Sequence, residues 1–100
     1  MRSTPRSDAY LVEHYWPGVD AAQIAQAEEE VCRAIRDLVR EGTSIRMLCS
    51  TFIPAEEVVL TLFEATREAD VLQVHQQSGV LFDRLQMVEV SRPECKERQA

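Results

Sequence analysis

A chain of 100 residues with 45% hydrophobic and 28% charged side chains has the size and balance of one globular domain, with no room for a second core. Net charge is −6; residues 1–8 and 91–100 each carry +1, so the stretch 9–90 carries −8. A body this acidic repels phosphate backbones and excludes nucleic acid as the expected partner. The apolar runs are too short to cross a bilayer, and no apolar stretch follows Arg2 and Arg6 to make a secretory signal, so no membrane is expected and a cytoplasmic location is.

In chain order, residues 1–8 read as a flexible tail and 9–16 (AYLVEHYW) as a first strand, rich in aromatic and β-branched residues and ended by Pro17 and Gly18. Asp20 then offers an N-cap, with Gln23 in capping-box position. Ile24, Val31, Ile35, Leu38 and Val39 follow at helical spacing up to the stop signal Gly42, while Glu28, Glu29 and Glu30 read as a solvated face. Residues 44–53 and 58–65 (VVLTLFEA) read as two strands whose short connection makes an antiparallel hairpin. Thr66 is the expected cap of a second, weaker helix reaching about Ser78, with Gly79 as its stop. Residues 85–90 (LQMVEV) form a last strand, and the polar stretch 91–100 reads as a second flexible tail.

The order strand, helix, strand, strand, helix, strand predicts an α+β, ferredoxin-like βαββαβ domain over 9–90. Right-handed crossovers put both helices on one face of a four-stranded antiparallel sheet of order 4-1-3-2. On this reading the first and third strands lie side by side and parallel.

Strand alternation gives two sets of side chains. Tyr10, Val12, His14, Leu48, Ser50, Phe52, Val59, Thr61, Phe63, Val88 and Val90 form one. Leu11, Glu13, Tyr15, Met47, Cys49, Thr51, Leu60, Leu62, Glu64, Leu85, Met87 and Glu89 form the other. Both are largely apolar, yet helices cover only one face, so the second set is expected to pair with a second copy in a dimeric, barrel-like assembly.

The three cysteines lack CxxC spacing, which removes zinc ribbons and thioredoxin-type chemistry; Cys32 and Cys49 are expected to be small buried residues. No metal-binding helix motif, nucleophile signature or glycine-rich phosphate loop occurs. The candidate site residues are Glu13 and Glu64. On adjacent parallel strands they would share a proton or hold a cation within an apolar interface, with Cys49 as a possible third, softer metal ligand. The plainer reading is a pair of strand-end carboxylates bonded to backbone, to Arg46 or Arg84, or to a residue of a second copy. Alternation sends His14 to the face opposite Glu13, and His75 is expected to be a packed or surface residue.

The stretches YLVE at 10–13 followed by Pro17 and Gly18, the strand ending in Ser50, LFEA at 62–65 and the G-x-x-F-D-R-L segment at 79–85 resemble a family of small bacterial proteins of unknown function. One actinomycete member of that family is described as nickel-binding. The resemblance implies a small dimeric metal- or small-ligand-binding protein, with nickel or another divalent ion as the metal. Family members often carry Cys and an aromatic on the third strand, and Trp and His on the second. Thr61, Phe63, Met47 and Cys49 stand there in this chain, so the resemblance transfers no ligand set. The alternative function is a cofactor-free isomerase, cyclase or monooxygenase-like enzyme with Glu13 and Glu64 as catalytic carboxylates.

Overall fold

A computed structural model describes residues 7–95. The elements follow as β1 (Asp8–Tyr15), α1 (Ala21–Arg40), β2 (Ile45–Ile53), β3 (Val58–Ala65), α2 (Glu68–Ser78) and β4 (Arg84–Val88). They build the expected βαββαβ unit, with sheet order β2-β3-β1-β4. Of the two expected tails, residues 1–6 and 96–100 lie outside the described residues; Asp8 already belongs to β1. Among the described residues no helix is long and apolar enough to cross a membrane.

One expectation is corrected at once: β1 and β3 are antiparallel, with Ala9 opposite Glu64 and Glu13 opposite Leu60. The topology requires it. Helix α1 returns the chain so that β2 runs in the direction of β1, and the hairpin then reverses β3 against both.

Local signals set most of the boundaries. Asp20 caps α1 by accepting the Gln23 N–H at 2.8 Å, while the Gln23 side chain takes the Asp20 N–H at 3.0 Å, a reciprocal capping box. The helix closes through Thr43 N–H to Leu38 O at 2.9 Å and Gly42 N–H to Val39 O at 3.0 Å, with Gly42 at a positive φ of 105°. Helix α2 ends on left-handed Gly79, as expected. Its N-cap is Arg67 rather than Thr66, with no side-chain cap bond. The Arg67 guanidinium instead reaches forward to the buried Asp70 carboxylate at 2.8 Å.

The core lies between the helices and one sheet face. Val31, Ala34 and Leu38 of α1 and Val71 and Val74 of α2 pack on Tyr10, Val12 and Phe63. Face assignment holds for β1 and β3 and fails for parts of the edge strands. A bulge between Met47 and Cys49 breaks the alternation of β2, so Met47 lies opposite Phe63 and joins the core while Cys49 lies opposite Leu62 on the open face. In β4 the phase is inverted: Leu85 sits opposite Val12 and packs on the core, and Val88 sits opposite Ala9. Cys49 is exposed and Cys32 half-buried, so neither is the small buried residue expected; both are free thiols.

Candidate functional site

The residues singled out from sequence share the open face but are not brought together. Because β1 and β3 are antiparallel, Glu13 and Glu64 sit four residues out of register, about 13 Å apart along the strands. Each is paired locally instead. The Arg46 guanidinium donates to Glu64 at 2.8 Å, and Arg84 approaches Glu13 at 3.6 Å. These are the arginine partners of the plainer reading. Cys49 is opposite Leu62, and among the described residues no group of three or more His, Cys, Asp or Glu gathers around a common point that a metal would occupy.

The larger hollow lies on the other side of the sheet. A crevice of about 900 Å³ opens between the N-terminal half of α1, the end of β1 and the connection from α2 to β4. Trp16, Leu81 and Phe82 supply its apolar surface, and His14, Gln26 and Glu30 are among its polar groups. Its size is that of pockets that take small organic molecules.

Local chemistry fixes its walls. Pro17 and Gly18 are the central residues of a tight turn closed by Val19 N–H to Trp16 O at 3.3 Å, with Gly18 at the positive φ (73°) its position requires. This turn is tied to the β2–β3 hairpin: Trp16 N–H donates to Glu57 O and Gly18 N–H to the Glu57 carboxylate, both at 2.8 Å. Glu57 makes both bonds from a left-handed conformation (φ 55°), which is costly for a residue with a Cβ. The opposite wall is tied down by Asp83, whose carboxylate accepts Tyr15 N–H at 2.6 Å and whose own N–H donates to Glu13 O at 2.8 Å.

His14 lines the floor of the crevice, and His75 lies behind it in the wall of a smaller space. His14 is 8% exposed and His75 only 4%, with ring centroids 5.6 Å apart. His14 Nδ1 lies 2.6 Å from Leu81 O, and His75 Nδ1 lies 2.9 Å from Val71 O. A carbonyl oxygen only accepts, so Nδ1 carries the proton in both rings, and in the neutral imidazole each Nε2 keeps a lone pair. His75 Nε2 is buried without a hydrogen-bond partner among the described residues. Its ring packs edge-on against Phe63 and Phe82, at 5.4 and 5.0 Å between centroids. Burial pushes both imidazoles below their ordinary 6.5, opposed in each by the carbonyl bond; His14 is also held up by Asp83, and His75 pushed down further by His14. A second, much smaller space of about 20 Å³ lies beside His75, with Ser50 and Thr61 in its wall. It shares His14, Trp16, Ala27 and Val80 with the crevice, so the two adjoin.

Sequence reasoning kept His14 apart from Glu13 but did not join it to His75. A usable signal was present: Asp70, Val71, Val74 and His75 fall at helical spacing on one stripe, and all four are buried.

No family model matches this chain, and no curated protein matches it. Among solved structures, the crystal structure of SCO4226 from Streptomyces coelicolor A3(2) is similar, with a TM-score of 0.71 at 20% identity. The match covers 84% of this chain and 99% of that one. Similarity at that identity is a similarity of fold.

Proposed function

We propose that this chain is a small-ligand-binding protein that works as a dimer, with its ligand in the crevice between α1 and the end of β1. The crevice itself carries the reading. It is a preformed hollow of about 900 Å³ with aromatic walls, pinned on both sides by backbone hydrogen bonds and floored by a neutral imidazole. Leu81, 86% exposed at its mouth, is an apolar side chain that a ligand would cover. Asp20, Glu30 and Asp83 line the crevice and, among the described residues, no Lys or Arg does, so its charge favours neutral or cationic ligands over anions.

Dimer formation is supported by the open face. Leu11 and Leu62 are half-buried there between two ion pairs, with half-buried Leu60 level with the Glu13–Arg84 pair toward one end of the sheet and Val88 level with the Glu64–Arg46 pair toward the other. An apolar stripe flanked by both signs of charge at each end suits a second copy of itself. A divalent metal such as nickel is the second reading. It draws on the two Nε2 lone pairs, since an imidazole whose Nδ1–H is held by a carbonyl is oriented as metal-bound histidines are. The reading with carboxylate catalysts draws no such support, because Glu13 and Glu64 stand apart in separate ion pairs.

Trp16 is the chain's single tryptophan and lines the crevice, so its fluorescence reports occupancy. Neutral and cationic aromatic fragments are expected to change that emission and raise the melting temperature, and Ala27→Phe, which fills the crevice, is expected to abolish both effects. Fragments that leave both signals unmoved across such a set would sink the reading. Titration with nickel, zinc and cobalt separates the metal alternative, which requires heat of binding that is lost in His14→Ala.

A further inference from the structure

Every imidazole Nδ1 at the base of the crevice is already spent on a backbone carbonyl, and what remains is acceptor. His75 Nε2 is buried and unpartnered, which is costly for a polar atom and is rarely found without a reason. The space beside it, about 20 Å³, has room for one small group such as a hydroxyl. Its polar wall consists of His14, His75, Ser50 and Thr61, with Glu28 at its α1 side, and among the described residues no Lys or Arg contributes.

We infer that this inner space is a subsite for a hydrogen-bond donor, so that the ligand enters with a neutral hydroxyl leading, as a phenol or alcohol does. The inference rests on the crevice being the ligand site and adds the class of molecule it takes. A phenol donates its one O–H to the His75 Nε2 lone pair while its ring lies along Trp16, Val80 and Phe82. A carboxylate or phosphate offers no proton to the imidazole Nε2 atoms and must pass the carboxylates of Asp20, Glu30 and Asp83, which leaves the Ser50 and Thr61 hydroxyls as its donors in the inner space. A methyl ether keeps the ring and loses the proton that the subsite recognises, which leaves the buried acceptor unpaired.

The test compares para-ethylphenol, para-ethylanisole and para-ethylbenzoate by Trp16 fluorescence on the intact chain. Para-ethylphenol is expected to bind about tenfold or more tightly than its methyl ether, with the benzoate weaker than either. In His75→Phe, which keeps an aromatic ring and removes the acceptor, the preference for phenol over ether is expected to fall toward one. Equal binding of phenol and ether to the wild-type chain overturns the inference and leaves the crevice as an apolar ligand site; this comparison stands even where the variant does not fold. If none of the three binds, nor any neutral or cationic aromatic fragment, the crevice reading itself fails and the donor subsite fails with it.

Discussion

The two faces of the sheet treat ionisable groups in opposite ways. On the open face Glu13 and Glu64 each stand beside an arginine of the neighbouring strand and within reach of water. Under the helices His14 and His75 are buried and neutral, held by backbone carbonyls. A carboxylate at a strand end needs only a partner, which an adjacent strand supplies. A buried imidazole needs its tautomer fixed, and fixing it leaves a lone pair with a direction. The difference teaches that polar residues beneath the helices are better placed for recognition than the more conspicuous acids outside.

The largest break between the faces is expected in stability. Phe63 is fully buried at the centre of the core, and Phe63→Ala is expected to cost about 3–5 kcal/mol in chemical denaturation. Leu62→Ala, the next residue on the opposite face, is expected to cost under half as much in the monomer and to weaken dimer formation in sedimentation. A similar loss from both substitutions would mean that the open face is as tightly packed as the core.

The second break is in pH dependence. Both imidazoles have folded-state values below the ordinary 6.5, so the unfolded chain binds protons more readily than the folded one. Their contribution is therefore present in full above about 6.5 and lost as pH falls through the lowered folded values. Denaturation midpoints measured across that window are expected to drop for the wild type and to flatten in a His14→Gln, His75→Leu double variant. Asp83 is the acidic group acting on His14, and Asp83→Asn is expected to steepen the loss, since it removes the charge that eases protonation. The smallest effect is expected outside. Glu13→Gln and Glu64→Gln each remove one partner of a partly exposed ion pair, worth about 0–1 kcal/mol, with no change in ligand binding.

The fold was legible because its punctuation is local. Asp20 with Gln23, Pro17 with Gly18, and Gly79 each mark a boundary with a residue chosen for one backbone role, and the sheet order follows from the element order and crossover handedness. Two kinds of information were not local. Strand direction had to be followed through the whole topology, and reading β1 and β3 as parallel joined two carboxylates that the sheet holds apart. The bulge after Met47 depends on pairing with β3, and alternation along β2 carries no mark of it. The site was hidden for a related reason. His14 and His75 are 61 residues apart in sequence and meet only when α2 docks on the sheet, while the crevice owes its far wall to the bond from Asp83 to Tyr15.

Ligand binding beneath the helices, and not on the carboxylate-bearing face, is open to backbone amide chemical-shift mapping during titration with para-ethylphenol. Shifts are expected to concentrate at His14 and Trp16, along residues 22–30 and 79–83, and at His75. Shifts centred instead on Leu11, Glu13, Cys49, Leu62 and Glu64 would contradict it and return the site to the open face.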